Sequence, residues 1–225
     1  MLALCSSPAI ALADGCIAQT NWIDGNGSWF TRTNWDNGVA TASAAAFINA
    51  GNANIDSTGA VACDLFLGFP ARTSGSVSIA GGSVTVGNEV EVGGSGTGKL
   101  SITKGGTVSA GLLTIAALSS ASASTVSISG STFTMGGRCD VGGDNQTLGG
   151  VALLSVTSGG SVSAGNVHAF KSGTLTGNGH DEHKAQHSDG EQHVHNQLAT
   201  DKSIDQLHLL AQKVAQIGGR AGLRY

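Results

Sequence analysis

The chain has 225 residues, of which 35 are glycine and only 12% are charged, against about 25% charged residues in an ordinary soluble domain. The formal net charge is −4 and no run of lysine and arginine occurs, so we expect no nucleic-acid partner. No stretch of about 18 apolar residues occurs, so the sequence predicts no transmembrane segment. Serine, threonine, valine, alanine and glycine dominate as far as residue 179, which favours β-strands separated by turns.

The first 13 residues are apolar and end in Ala11–Ala13, the small-x-small pattern that signal peptidase cleaves. The positively charged start of a signal peptide is missing, so we interpret residues 1–13 as the second half of one. An ordinary apolar first strand is the alternative. Cleavage would leave Asp14 as the mature N-terminus.

Cysteine usage leaves two alternatives open. Cys5 would be removed with the signal peptide, leaving Cys16, Cys63 and Cys139. In an oxidising compartment Cys16 and Cys63 would form a disulfide, with Cys139 as a small buried hydrophobic residue. Three buried thiols are the alternative. The sequence contains no Cys-x-x-Cys pair, the pattern typical of zinc and thioredoxin sites.

Short strands recur between residues 75 and 177. Four fragments with serine between two apolar residues are each followed by a glycine turn and a second strand. The fragments are Val77–Ile79, Leu100–Ile102, Val126–Ile128 and Leu154–Val156. Because the apolar residues lie two apart, each strand has one face toward the core and one solvent-exposed face. A unit this small buries its core face only by stacking, so the repeat predicts a parallel β-helix with interior apolar ladders.

A third strand per unit is predicted by an apolar pair, three and five residues after the glycine that ends the second strand. The pairs are Val90 and Val92, Cys139 and Val141, and His168 and Phe170. In the second unit Leu113 and Ile115 form the better pair, one residue early relative to Gly111. This offset indicates a one-residue slip or bulge.

The opening of the chain is rich in tryptophan, asparagine and glycine, at Asn21–Phe30 and Thr33–Gly38, and is followed by Gly59–Gly68. These stretches resemble the N-terminal region of autotransporter-type and related exported β-strand-repeat proteins. The units within Gly96–Ser109 resemble their repeats, so the resemblance covers roughly residues 19–179. It implies export, surface exposure and no defined active site. It also favours the three tryptophans as a cover for the first coil over a sugar-stacking platform.

Composition changes after Gly179, where six of the seven histidines follow. The metal-ligand candidates are His180, His183, His187, His193 and His195. Solvated disorder is the alternative for this polar segment. Spacing over 203–217 predicts an amphipathic helix that would cover an open solenoid end. An altered reading frame would explain the same break in composition.

Charged residues in the repeat region are few, and they are the only candidates for catalysis there. They are Glu89, Glu91, Lys99, Lys104, Arg138, Asp140, Asp144 and Lys171. Glu91 and Asp140 are predicted to be neighbours across coils. A solvated outer face explains such charges without catalysis, and Gly93–Lys99 lacks the serine or threonine that a phosphate-binding loop needs after its lysine. We therefore predict no catalytic residue and no cofactor.

The sequence predicts an all-β parallel β-helix with a tryptophan-rich N-terminal cap and a C-terminal amphipathic helix. The expected segments are a partial signal peptide (1–13), the cap (14–45), the solenoid (46–179), and a histidine-rich segment with a short helix (180–225). We expect a secreted or bacterial cell-surface structural or adhesion module, not an enzyme, whose partner is a carbohydrate, a matrix or another cell surface. The alternatives are a β-helix carbohydrate-active enzyme, either lyase or hydrolase, and a histidine-rich metal-binding tail.

Overall fold

The chain folds into a parallel β-solenoid of about six turns, in which successive turns add strands to the same three sheets. The computed structural model describes residues 15–145 and 147–177, together with the backbone of 179–181, 184–188, 191–195 and 198–200. The predicted signal peptide and the predicted helix over 203–217 lie outside the described residues.

Three sheets run along the solenoid, and the strands listed here pair in parallel within each sheet. The first contains β1 (Ala18–Asn21), β3 (Ala44–Ile48), β6 (Leu65–Leu67), β9 (Glu89–Val92), β12 (Leu112–Ile115), β15 (Arg138–Val141) and β20 (Asn166–Ala169). The second contains β2 (Asn26–Ser28), β4 (Asn52–Ile55), β7 (Ser74–Ala80), β10 (Thr97–Thr103), β13 (Ser124–Ser129), β18 (Ala152–Thr157) and β21 (Gly173–Gly177). The third contains β5 (Ala60–Ala62), β8 (Ser83–Val86), β11 (Thr107–Ala110), β14 (Thr132–Met135) and β19 (Ser161–Ser163).

Other elements are short. A 3₁₀ turn spans Arg32–Asn34, and a small antiparallel hairpin, β16 (Gly143–Asp144) and β17 (Thr147–Leu148), follows β15. Four strands continue beyond the solenoid as antiparallel additions: β22 (Gly179–Asp181), β23 (Lys184–Ser188), β24 (Glu191–His195) and β25 (Leu198–Thr200). No helix among the described residues is long and apolar enough to cross a membrane.

The interior apolar ladder predicted from the repeats is present. Ile79 pairs in register with Ile102, and Ile102 with Ile128, on adjacent strands of the second sheet. All three side chains are fully buried, while the serine before each one faces outward. The prediction of a parallel β-helix is therefore confirmed, and the core runs along the axis rather than lying in one globular centre.

The one-residue slip predicted for the third strand of a repeat unit is present. It lies at the corner where the chain passes from the third sheet to the first sheet. Leu113 pairs with Val90 and faces inward, because one residue fewer separates it from the preceding glycine. The same shortening occurs after Gly165, so Val167 pairs with Cys139 and is buried. The predicted inward pair of His168 and Phe170 is therefore wrong: His168 lies on the outer face of β20.

A disulfide joins Cys16 and Cys63, with their Cα atoms 5.7 Å apart, and so selects one of the two predicted alternatives. It links the segment before β1 to the corner before β6. Cys139 is a buried free thiol. Burial raises the pKa of Cys139 to about 12, assisted by the neighbouring Asp140, so this thiol stays protonated.

Candidate functional site

Serine forms a continuous row on the outer face of the second sheet. Ser78, Ser101, Ser127 and Ser155 occupy equivalent positions on four adjacent strands. Neighbouring parallel strands lie about 4.8 Å apart, so the hydroxyl groups repeat at that spacing along the solenoid axis. Asn54 and Thr176 extend the row at its two ends. We call this row the serine ladder.

An open, shallow groove runs beside the serine ladder across β4, β7, β10 and β13. Its polar lining consists of Asn52, Ser76, Ser78, Lys99, Ser101, Thr125 and Ser127. Lys99 is exposed and is the only charged residue in this lining. The groove therefore offers hydroxyl, amide and ammonium groups in a line, which suits an extended polar ligand better than a compact one.

A second hydroxyl row lies on the outer face of the third sheet, where Thr85, Ser109, Thr134 and Ser163 are in register. Thr85, Ser109 and Thr134 are exposed. Serine and threonine of similar length, such as Thr107 and Thr132, flank this row. We call it the threonine row, and it presents hydroxyl groups to solvent.

The outer face of the first sheet differs because the connections to the second sheet fold over it. The side chains in register there are Phe47, Phe66, Glu91, Thr114, Asp140 and His168. Phe69, from one connection, packs edge-on against Phe47 and Phe66 at ring-centroid distances of 6.0 and 5.0 Å. Glu91 and Asp140 are buried although their side chains point away from the solenoid core.

Asp140 is the most heavily bonded carboxylate of this face. It is fully buried, and its Oδ2 accepts hydrogen bonds from Arg138 Nε at 2.6 Å and from the backbone N–H of Asn145 at 2.9 Å. Its Oδ1 lies 2.9 Å from His168 Nδ1. Arg138 also donates to Asp144 Oδ1 at 2.9 Å. This network holds the β16–β17 hairpin against β15 and β20.

Glu91 is held differently, since the structure gives its carboxyl group no hydrogen bond among the described residues. Only 9% of the residue is exposed, and burial raises its pKa to about 8, with further contributions from Glu89 and Asp144. Burial also raises the pKa of Glu89, although Thr114 Oγ1 donates to Glu89 Oε1 at 2.7 Å. At neutral pH Glu91 is therefore mainly a neutral acid.

Sequence reasoning found part of this cluster. Glu91 and Asp140 do share one ladder, with Thr114 between them, so they are two strands apart and not direct neighbours. His168 was missed because the shortened corner after Gly165 moves it to the outer face. A pattern search that allowed corners to vary by one residue would have placed it there.

The predicted metal ligands of the histidine-rich segment are only partly described. His180, His187, His193 and His195 lie on strands β22, β23 and β24, whose side chains are not described, and His183 lies outside the described residues. Their role in metal binding stays a prediction. Within residues 15–145 and 147–177, one group brings three residues with metal-ligating side chains together, Cys16, Cys63 and Asp64, and its two sulfurs are joined as the disulfide.

No protein-family model, curated protein or solved structure matches this chain.

Proposed function

We propose that the chain is an exported, surface-displayed structural or adhesion module that holds an extended carbohydrate in the groove beside the serine ladder. The observation that carries this proposal is the line of polar side chains across four strands at one open face. A polymer lying along the axis would meet an equivalent donor and acceptor at each coil, so many weak hydrogen bonds would add together. The family resemblance of the tryptophan-rich opening supports export and surface display.

The tryptophans support a cap at the first coil. Trp22, Trp29 and Trp35 are buried, and Trp35 lies edge-on to both others at centroid distances of 5.1 and 4.8 Å. Trp35 Nε1 also donates to the carbonyl of Trp29 at 2.8 Å. Buried indole rings offer no face for stacking on a sugar, so within this proposal they close the apolar interior of the solenoid.

A carbohydrate-active enzyme is the rival function, and the cluster at Glu91 and Asp140 is where it would act. Glu91 carries a proton at neutral pH and could act as a general acid. Asp140 is a poor partner for it, because the carboxylate is fully buried and already bonded to Arg138 and Asn145. Its burial supports a structural role in holding the hairpin.

The experiment is retention of the purified chain on two insoluble probes, neutral cellulose and calcium-gelled acidic alginate. The test variant carries Ser78→Ala, Ser101→Ala and Ser127→Ala, and the matched control carries Thr85→Ala, Ser109→Ala and Thr134→Ala in the threonine row. We expect wild type and control to be retained, and the test variant to bind at least about tenfold more weakly, since three hydrogen bonds are lost. Equal retention of both variants would contradict the serine-ladder site, and no retention on either probe would contradict carbohydrate binding.

The two alternative functions have separate readouts. Release of new reducing or unsaturated ends from soluble alginate or cellulose oligomers would support the enzyme. Saturable zinc binding by the full chain, lost when His180, His183 and His187 are replaced by alanine, would support the metal-binding tail.

A further inference from the structure

A buried carboxyl group lies beside the disulfide. Asp64 follows Cys63 directly, is fully buried, and places Oδ2 2.8 Å from Cys16 Sγ. No lysine, arginine or histidine forms an ion pair with Asp64 in the described part of the chain. Its Oδ1 accepts the backbone N–H of Glu89 at 3.2 Å. Burial without a cation disfavours the carboxylate, so the neutral form of Asp64 is stabilised by a partner for its proton.

The sulfur of Cys16 is that partner. A disulfide sulfur carries no hydrogen, so the contact of 2.8 Å is favourable only when the carboxyl O–H of Asp64 donates to it. Burial raises the pKa of Asp64, against smaller opposing effects of the Glu89 N–H and the Asn88 side chain. Asn88 Nδ2 lies 3.4 Å from Cys63 Sγ and 3.7 Å from Cys16 Sγ, so both sulfurs face hydrogen-bond donors.

We propose that Cys16, Cys63 and Asp64 form a proton-coupled site of thiol–disulfide exchange, in which Asp64 gives its proton to the sulfur of Cys16 when a small thiol attacks Cys63. The attacking thiolate forms a bond to Cys63 Sγ, and the bond between Cys63 and Cys16 breaks. Its electron pair remains on Cys16 Sγ, which takes the proton and becomes a thiol, while Asp64 becomes a carboxylate.

A second thiolate then attacks the mixed disulfide, which releases the small-molecule disulfide and Cys63. Cys63 takes a proton from solvent, while Asp64 stays a carboxylate that accepts a hydrogen bond from the Cys16 thiol. Of the two protons that the small thiols lost on ionising, one is therefore on Cys63 and the other remains in solvent. The protein disulfide is reduced by two electrons and the small thiol is oxidised. In the reverse direction the carboxylate of Asp64 is the base that removes the proton of Cys16, so one residue assists both opening and closure.

Position in the fold permits this exchange. Cys16 precedes β1, which among the described residues is the outermost strand of the first sheet and pairs only with β3. The adjacent Ile17 is 84% exposed. Local opening of this edge gives a small thiol access to the disulfide without unfolding the coils behind it. Glu89 faces Asp64 from the neighbouring strand, and the charge of Asp64 raises the pKa of Glu89.

The test is the rate at which dithiothreitol reduces the disulfide of the folded chain between pH 5 and 9, expressed per concentration of dithiothreitol thiolate. Wild type should show a per-thiolate rate that falls as pH rises and Asp64 loses its proton. Asp64→Asn should abolish this pH dependence and lower the rate at pH 5 by about 100-fold, the effect of losing a general acid. The matched control, Asp56→Asn on an exposed turn, should behave as wild type.

Two results would overturn the proposal. One is an Asp64→Asn variant with the rate and pH profile of wild type. The other is a wild-type rate independent of dithiothreitol concentration, which would mean that opening of the chain, and not the exchange step that Asp64 assists, limits reduction. If Asp64→Asn does not fold, the carboxyl carbon of Asp64 is titrated by NMR in the wild-type chain. The proposal requires a lower pKa for Asp64 in the reduced form, where the Cys16 thiol donates to the carboxylate, and equal values would also overturn it.

Discussion

Glu91 and Asp140 occupy equivalent positions on the first sheet, two strands apart, yet their carboxyl groups are stabilised in opposite ways. Asp140 has an arginine, a backbone N–H and a nearby histidine, so its charge is compensated. Glu91 has Phe66 on the adjacent strand and two other acids nearby, so its neutral form is favoured. Local surroundings, and not residue type, therefore decide what each carboxyl group does to stability.

Glu91 makes the stability of the protein depend on pH. Its pKa is about 8 in the folded chain and near 4.5 in the unfolded chain, so between these values the folded state retains a proton that the unfolded state has lost. The free energy of unfolding then falls as pH rises through this range, by up to about 1.4 kcal/mol per pH unit. Below pH 4.5 the effect is absent, and above pH 8 it is complete.

We expect Glu91→Gln to remove most of this slope and to be more stable than wild type at pH 8 by on the order of 2–4 kcal/mol. Urea denaturation at each whole pH unit from 5 to 9 measures the free energy of unfolding of both proteins. Asp56→Asn, on an exposed turn, is the control and should keep the slope of wild type. If the free energy of unfolding depends on pH in the same way for wild type and Glu91→Gln, Glu91 is not the source of the pH dependence.

The two partners of Arg138 provide a second comparison, between a buried and an exposed ion pair. Asp140 is fully buried, whereas the Asp144 side chain is 49% exposed. We expect Asp140→Asn to lower the free energy of unfolding by about 3 kcal/mol, because Arg138 loses its buried counterion. Asp144→Asn should cost less than about 1 kcal/mol, as for other exposed pairs. Equal costs, measured by urea denaturation at pH 7, would contradict a supporting role of Asp140.

At the scale of strands, alternation of apolar and polar residues was sufficient to predict the inward ladders. Val77, Leu100 and Val126, and the isoleucines that follow them, lie where a period of two places them. The candidate site was harder, because the outer face of the first sheet is buried by connections between strands. A strand pattern alone does not show whether an outward residue such as Asp140 is covered, so sequence reasoning assigned it to a solvated face.

The number of residues in each corner between strands was the other feature that could not be predicted from the sequence. One residue more or less between strands reverses which side chains face inward, and this is how His168 came to lie beside Asp140. Such a change has no composition signature, since glycine and small residues occupy long and short corners alike. The structure supplies what the sequence lacks, namely the register between successive coils.

A ladder of small residues fixes the corner between the first and second sheets. Gly75, Gly98, Ser124, Ala152 and Gly173 are in register there. An added Cβ at Gly75 would lie 1.6 Å from the carbonyl oxygen of Ile48, so the backbone of the neighbouring coil would have to move. The corner therefore excludes even a methyl group at this position.

We expect Gly75→Ala to destabilise the chain by at least about 2 kcal/mol, in the range of overpacked cores. The matched control is Gly136→Ala, where an added Cβ meets nothing within 4 Å and φ is not positive. Thermal unfolding followed by circular dichroism compares them. If Gly75→Ala has the same melting temperature as Gly136→Ala and wild type, the tight corner at Gly75 is not a determinant of stability.

At the scale of the whole molecule, each coil contacts mainly the coils before and after it. The stability of such a stack is a sum of coil and interface terms, so opening should begin at the ends and spread inward. The disulfide between Cys16 and Cys63 acts at one end only. It closes a loop across 47 positions of sequence, which is worth about 4 kcal/mol in the chain-entropy description.

Native-state hydrogen exchange should therefore give a gradient of protection. We expect amides of β10 and β13, in the middle of the stack, to exchange slowest, and those of β1 and β21 fastest. The variant Cys16→Ser with Cys63→Ser should lose protection in β1, β3 and β6 while β13 and β14 keep theirs, because the lost constraint lies in the first coils. Equal loss in every strand would mean that the solenoid unfolds as one cooperative unit, and the nearest-neighbour description would then fail for this chain.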